Sequence, residues 1–369
     1  MSLVGQAKAS GATVSRSIKR TYMSVGPNFP ELILSGIQPT NIPHIGNFLG
    51  VISKWVSLQR TTHDSVKLLY PIVDLHALTI PRDPEHLKKS KLETAIILLA
   101  CGIDPARSFI FEQSKIPAHT EVAWFLNCIT PMSWLSRMTQ WKAKIKLNKN
   151  IQSIDDEVLS SSGLCLGLFS YPVLQAADIL LYKATHVPIG EDQVQHLELT
   201  RDIAVTFNKM FHQNVFPLPL SIMSDRIMSL YDPSKKMSKS DPSNTRINLD
   251  DSPAIIAEKI KKSTSDSLKC ITYDPITRPA IANLITIYAA MQEITVDQAI
   301  VEHSKSDIKT FKDALTQVII EKLSPIQEEI QRLRFEQGYV QQVLKGGAEK
   351  ASIIAEKNLD EIRKVIGLK

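Results

Sequence analysis

From Glu31 onward the chain alternates short apolar runs with longer stretches of helical spacing, and this alternation restricts the fold more than any other feature. Leu32–Ser35, Lys67–Val73 and Ser108–Phe111 read as short buried strands. Between them, Gly46–Arg60 and Pro84–Cys101 read as helices; in the first, Phe48, Val51, Ile52, Trp55, Val56 and Leu58 largely follow helical spacing. Such βαβ alternation implies an α/β fold with a parallel sheet, whose ligands lie at the carboxyl ends of the strands. Gln38, His76 and Gln113 each fall just past a predicted strand. Singly each is a turn or capping residue; their shared topological position marks a site. His119–Lys146 is predicted helical, as is a helix over Gln193–Phe207. After Asp250-Asp251-Ser252-Pro253, a helix start, helical patterns run to Lys369, with apolar stripes over Ile281–Met291, Phe311–Leu323, Ile326–Leu333 and Ile353–Ile366.

Composition sets outer bounds. A chain of 369 residues is long enough for two domains with filled cores. Ala95–Cys101 is too short to cross a bilayer, and no other run approaches ~18 apolar residues, so no membrane partner is expected. A net charge of +5 permits nucleic-acid binding without requiring it. Cys101, Cys128, Cys165 and Cys270 are far apart with no CxxC or Cys/His ligand spacing, so buried free thiols and no metal site are expected. Before Glu31 there is no acidic residue, while Lys8, Arg16, Lys19, Arg20 and a recurring serine are present. That pattern reads as a mitochondrial transit peptide over 1–28, cleaved before Phe29, in preference to a disordered cytosolic tail, and hence the mitochondrial matrix is expected.

Two short motifs about 190 residues apart carry the chemistry: Pro43-His44-Ile45-Gly46-Asn47 and Lys235-Lys236-Met237-Ser238-Lys239-Ser240. A glycine at a strand-to-helix turn lets the backbone approach a phosphate closely, and a helix start offers free N–H groups to it. His44 and Asn47 flank that turn, and Lys236 and Lys239 sit on a loop able to close over a departing pyrophosphate. Alone, the first string is an ordinary turn and the second a solvated basic loop. Together, in this order and separation, they resemble the paired signature of the class I aminoacyl-tRNA synthetases. Ser35-Gly36-Ile37-Gln38-Pro39-Thr40, Gln175-Ala176-Ala177-Asp178-Ile179-Leu180, Gly190-Glu191-Asp192-Gln193 and Arg226-Ile227-Met228-Ser229-Leu230 sharpen the resemblance to tryptophanyl-tRNA synthetases of the mitochondrial and bacterial type.

The resemblance implies a Rossmann-like catalytic domain over 29–225, with a mobile insertion at about 142–162. The KMSKS loop and an all-helical anticodon-binding domain would then occupy 226–369. It implies a homodimer that joins L-tryptophan to tRNA(Trp) using ATP, with Mg²⁺ carried by the triphosphate rather than by a protein site. It assigns ATP contacts to Gln38, Pro39, Thr40, Gly46, Asn47, Gly190, Glu191, Asp192, Ile227, Lys236, Met237, Ser238, Lys239 and Ser240, with His44, Asn47, Lys236 and Lys239 as the catalytic group.

For tryptophan, indole is apolar apart from one N–H donor, so a selective pocket needs hydrophobic walls and one acceptor. Asp178, in an otherwise apolar helix, suits that acceptor, and the resemblance gives it the indole N–H. Leu34, Gln38, His76, Gln113, Tyr171, Gln175, Val187 and Ile189 complete the tryptophan set. Gln175 departs from the Met of many bacterial members, which leaves the pocket shape open. The basic run Lys142, Lys144, Lys146, Lys149 reads equally as a tRNA contact and as a solvated loop. Two rivals stay open at this point: a tyrosyl-tRNA synthetase, and a catalytically idle RNA-binding relative, against which intact His44, Gly46, Lys236 and Lys239 argue.

Overall fold

The computed structural model describes residues 29–39, 42–139, 141–142, 165–223, 226–238, 241–268 and 270–369. The expected transit peptide, nearly all of the 142–162 insertion with its basic run, Thr40, Lys239 and Ser240 lie outside the described residues.

Among the described residues, five parallel strands form the sheet: β1 (Leu32–Leu34), β2 (Lys67–Ile72), β3 (Ser108–Glu112), β4 (His186–Ile189) and β5 (Leu220–Met223), in the order β3-β2-β1-β4-β5. Leu32 pairs with Lys67, Leu68 with Ser108, Ile33 with His186, and His186 with Leu220. Because side chains alternate along a strand, β1, β2 and β3 bury residues on both faces. Ile33, Leu68, Tyr70, Ile72 and Ile110 belong to one apolar layer, and Leu32, Leu34, Leu69 and Phe111 to the other. Burial on both faces explains why these strands read as continuous apolar runs.

The helices of the first half are α1 (Ile45–Asn47), α2 (Ser53–Thr61), α3 (Asp74–Ala77), α4 (Pro84–Ala100), α5 (Ala118–Ile129), α6 (Met132–Leu135), α7 (Leu166–Leu181) and α8 (Val194–Met210). The second half adds α9 (Pro253–Lys262), α10 (Pro279–Gln292), α11 (Val296–Glu302), α12 (Ile308–Phe335) and α13 (Gln337–Val365). Local chemistry sets several starts. Asp83 accepts from His86 N–H ahead of Pro84, and Ser252 caps α9 ahead of Pro253 as its sequence predicts. A π-helical turn, Phe48–Ile52, joins α1 to α2 and lets Phe48, Leu49, Ile52, Trp55 and Val56 all face inward.

The expected helix His119–Lys146 is instead broken. α5 stops at Ile129, Thr130 is extended, and Pro131 cannot supply a helical N–H. Conversely, the two stripes Phe311–Leu323 and Ile326–Leu333 are one helix, α12, which runs through Pro325. The helix holding Asp178 begins earlier than the Ala176–Leu181 stretch, at Leu166. The cysteines are free, but only Cys101 is buried; Cys128, Cys165 and Cys270 are exposed, correcting the expectation of buried thiols.

The last helix does not stay with the helical half. At Gly347 the backbone of α13 lies directly on β3, where an added Cβ would sit 2.0 Å from the Ile110 carbonyl oxygen. Ala351, Ala355, Leu359 and Ile362 of α13 enter the second apolar layer, and Asn358 Nδ2 donates to the Leu181 carbonyl at 2.8 Å. A chain end thus covers a sheet edge that would otherwise expose unpaired backbone. Among the described residues, no helix is long and apolar enough to cross a membrane.

Candidate active site

Chain direction across the sheet reverses beside β1: β2 and β3 lie on one side of it, β4 and β5 on the other. In doubly wound sheets the ligand crevice opens at that switch point, beyond the carboxyl ends. A cleft of ≈ 410 Å³ lies there, lined by Ser35, Gly36 and Gln38 after β1, His76 after β2, and Gly190, Asp192 and Gln193 after β4. Tyr171, Gln175, Asp178 and Ile179 of α7 close one side, with Val187 and Ile189 below and Lys236 entering from the second motif.

Asp178 is buried at 3% exposure, yet holds its charge within a ring of donors. His76 Nε2 lies 2.7 Å from Oδ2; Gln113 Nε2 and His119 Nδ1 each lie 2.7 Å from Oδ1. Burial pushes the carboxyl pKa up, but the hydrogen bonds and proximity of His119 and His76 outweigh it and hold the group at about 2. Gln113 is oriented in turn, because its Oε1 accepts from Leu75 N–H at 3.1 Å. Asp74 ties the same loops together: it accepts from Ser114 N–H at 2.9 Å and Lys91 Nζ at 3.2 Å, and Lys91 also pairs with Glu112 at 2.7 Å.

Tyr171 Oη meets His196 Nε2 at 2.8 Å. Burial pushes the His196 imidazole down to about 4, so it is neutral near pH 7, and burial raises the Tyr171 phenol to about 12. Gln175 Nε2 donates to Gln193 Oε1 at 3.2 Å, which spans the cleft wall from α7 to the turn after β4.

The two motifs meet at the opposite end. Ile45 N–H donates to Ile247 O at 2.8 Å and Leu249 N–H to Pro43 O at 3.0 Å, so the first turn is clamped by the segment following the basic loop. Met237 N–H donates to Ile227 O at 3.0 Å, and buried Met237 packs against Gly46, where an added Cβ would lie 3.4 Å from its Cβ and 2.9 Å from the His44 ring. Asn47 Oδ1 accepts from His44 N–H at 3.3 Å. Lys236 Nζ rests 2.9 Å from Asp192 Oδ1, and Arg226 pairs with Glu191 at 2.8 Å. Although burial opposes it, bonds from Gln193 and Lys236 lower the Asp192 pKa. A Cβ at Gly190 would meet Asp192 Oδ1 at 2.9 Å, so this turn is built around a bare glycine.

Of the sequence-derived set, the cleft lining unites Gln38, His76, Tyr171, Gln175, Asp178, Val187, Ile189, Gly190, Asp192 and Lys236. Gln113 is fully buried behind Asp178, and Leu34 lies in the core layer, so neither lines the cleft. His44, Gly46, Asn47, Ile227 and Met237 meet where the two motifs are clamped together and Glu191 pairs with Arg226, all outside the cleft wall, and Pro39 and Ser238 do not line the cleft either. His119 was missed. Its only sequence signal is a histidine in the first turn of a helix shortly after Gln113, which singles out no role. Among the described residues, no group of three or more His, Cys, Asp or Glu is arranged to hold a metal.

A family model described as tRNA synthetases class I (W and Y) matches residues 30–324. The tryptophan–tRNA ligase of Rickettsia conorii is 44% identical over 341 residues, covering 91% of this chain and 98% of that protein. The mitochondrial tryptophan–tRNA ligase of Schizosaccharomyces pombe is 43% identical over 343 residues, covering 91% and 95%. Among solved structures, tryptophanyl-tRNA synthetase from Mycoplasma pneumoniae superposes with a TM-score of 0.80 at 33% identity, over 92% of this chain and 98% of that one. The Campylobacter jejuni enzyme, solved with ADP and tryptophan, gives 0.70 at 30% identity, over 91% and 99%. The family model alone leaves tryptophan and tyrosine open; the tryptophan–tRNA ligases that match over nearly their full length at 43–44% identity resolve it, and the chain belongs to the tryptophan–tRNA ligases of the class I aminoacyl-tRNA synthetases.

Proposed function

We propose that Asp178 selects tryptophan by accepting its indole N–H while Lys236 and Lys239 draw ATP and its pyrophosphate to the other end of the cleft. The observation that carries this reading is the buried carboxylate of Asp178, held by His76, Gln113 and His119, in a cleft that also holds Gly190, Asp192 and Lys236. The Campylobacter jejuni relative, solved in complex with ADP and tryptophan, supports binding of an adenine nucleotide and tryptophan by this chain.

In the activation step a carboxylate oxygen of tryptophan attacks the α-phosphorus of ATP. The α–β P–O bond breaks, and pyrophosphate leaves with the bonding pair. No protein nucleophile is needed, so the protein positions the partners and neutralises growing charge. Gly46, at the start of the first helix, lets the substrate approach the backbone of that turn closely. A ribose hydroxyl of the terminal adenosine of tRNA then attacks the adenylate carbonyl, and AMP departs. Mg²⁺ enters with the triphosphate: Glu191 and Asp192 are already paired with Arg226 and Lys236, a donor set suited to a counter-ion shared with substrate rather than to a cage.

Three further readings complete the proposal. The acid-free leader and relatives that are mitochondrial ligases of two yeasts, 43% and 41% identical, support work in mitochondrial translation in the matrix, although the Rickettsia relatives are as similar. The helical half reads the anticodon; Phe335 and Tyr339, exposed at the junction of α12 and α13, offer aromatic faces for base stacking. A homodimer is supported by the exposed apolar side chains Leu78, Trp124, Met132 and Leu166 on elements packed against or beside α7. Trp124→Glu is expected to shift the sedimenting species from dimer to monomer, and an unchanged species would remove that face from the interface.

The test of the central reading is charging of tRNA(Trp) by Asp178→Asn. The tryptophan KM is expected to rise at least ~100-fold with the ATP KM within a few-fold, because the indole N–H would face an amide donor or an unpaired site. An unaltered tryptophan KM would overturn the assignment.

A further inference from the structure

Behind Asp178, on the side away from the cleft, His119 and Tyr182 form a sealed pair. His119 is fully buried and Tyr182 is 2% exposed, with the rings 5.4 Å apart and Phe111 against both. His119 Nδ1 lies 2.7 Å from Asp178 Oδ1, and His119 Nε2 lies 3.0 Å from Tyr182 Oη. A carboxylate can only accept, so Nδ1 carries a proton in either charge state of the ring. In the neutral ring Nε2 then accepts from the Tyr182 hydroxyl, whose pKa burial, joined by the Asp178 charge, raises well above its usual value. Among the described residues Oδ1 therefore receives two donors, from Gln113 and His119, whereas Oδ2 receives one, His76. Each carboxylate oxygen has two acceptor sites, so the vacant one belongs to Oδ2, the oxygen paired with a cleft-lining residue.

We propose that His119, backed by Tyr182, is a positioning residue for amino-acid selection: it saturates Oδ1 from the core side and presents Oδ2 to the cleft as an oriented, unprotonated acceptor for the indole N–H. This rests on the reading that Asp178 takes that N–H. Without the His119 donor, burial of the carboxyl is less fully offset, and the group takes up a proton at higher pH. A protonated Asp178 would offer a donor toward the indole donor. The groups facing Asp178 are His76 on α3, Gln113 after β3, His119 on α5 and Tyr182 at the end of α7, with Tyr171, His196 and Asp192 beyond His76.

The experiment is pyrophosphate exchange with the wild type, His119→Leu, His119→Asn, Tyr182→Phe and Asp178→Asn, using tryptophan and its benzothienyl isostere, in which sulfur replaces the indole N–H. Assays run between about pH 8 and pH 5.5, with ATP KM and thermal midpoint as folding controls. His119→Leu is expected to raise the tryptophan KM about 10- to 100-fold with kcat within about 3-fold, and to lose the preference over the isostere. Its tryptophan KM should climb further as pH falls, against a wild type run in parallel. His119→Asn, whose Nδ2 replaces Nδ1, should recover most of the loss. Tyr182→Phe should raise the tryptophan KM about 3- to 10-fold without touching the isostere; it decides the matter should His119→Leu not fold. Wild-type ratios and pH profile in folded His119→Leu, or in Tyr182→Phe where it stands in, overturn the proposal. If Asp178→Asn itself keeps the wild-type preference, the underlying reading of Asp178 fails; if Asp178→Asn loses it and His119→Leu keeps it, only the role of His119 fails.

Discussion

Two adjacent glycines in α13, Gly346 and Gly347, should respond to alanine with opposite signs. At Gly347 an added Cβ would lie 2.0 Å from the Ile110 carbonyl oxygen, 2.8 Å from its carbon and 3.2 Å from its nitrogen; at Gly346 nothing lies within 4 Å. Ordinary contact begins near 3.4 Å, so Gly347→Ala requires α13 and β3 to part by more than an ångström. The atom in the way is sheet backbone, which cannot rotate aside. Parting the two elements also loosens Ala351, Ala355, Leu359 and Ile362 in the layer beyond. Overpacking costs about 1–3 kcal/mol and more where nothing can yield, while alanine in a helix returns about 1 kcal/mol over glycine. The net expectation is a loss of at least ~2 kcal/mol, several degrees in thermal midpoint. Gly346→Ala should instead gain up to ~1 kcal/mol. Denaturation of the three proteins under one buffer decides this. A Gly347→Ala protein as stable as the wild type would refute the docking of α13 on β3, and with it the account of how the last helix seals the sheet edge.

Other outcomes follow from the site. Lys239→Ala should slow adenylate formation about 10²- to 10³-fold while tryptophan binding, read by equilibrium titration, changes little; equal losses in both would remove Lys239 from the pyrophosphate role. His196 is neutral in the folded chain, with its pKa pushed by burial from 6.5 to about 4. Between those values the unfolded chain holds a proton that the folded one does not, so stability falls as pH drops from about 6.5 toward 4, by up to roughly 3 kcal/mol. His196→Gln should flatten that part of the acid-unfolding curve, and an unchanged curve would contradict the buried neutral imidazole.

The strands and the carboxyl-edge residues were legible because burial on both faces leaves continuous apolar runs, and because Gln38, His76 and Asp178 each sit in a local pattern of their own. The two misread prolines show where local pattern runs out. Pro325 is carried inside α12 because Ile319, Leu323, Ile326, Ile330 and Leu333 are buried on both sides of it, and packing outweighs one lost hydrogen bond. Pro131 ends its helix because the residues after it, Met132 and Ser133, are exposed and hold nothing in place. β5 escaped notice as a four-residue edge strand of alternating half-exposed residues behind two prolines. His119 escaped for another reason: α5 brings it to Asp178 across 59 residues, a juxtaposition with no spacing signature.

The most direct measurement is tRNA-independent exchange of labelled pyrophosphate into ATP by the chain from Phe29 onward, with tryptophan and tyrosine in parallel. Membership among the tryptophan–tRNA ligases, with Asp178 as acceptor for the indole N–H, predicts exchange with tryptophan alone. Exchange driven by tyrosine, or by neither amino acid in folded protein, would contradict the account.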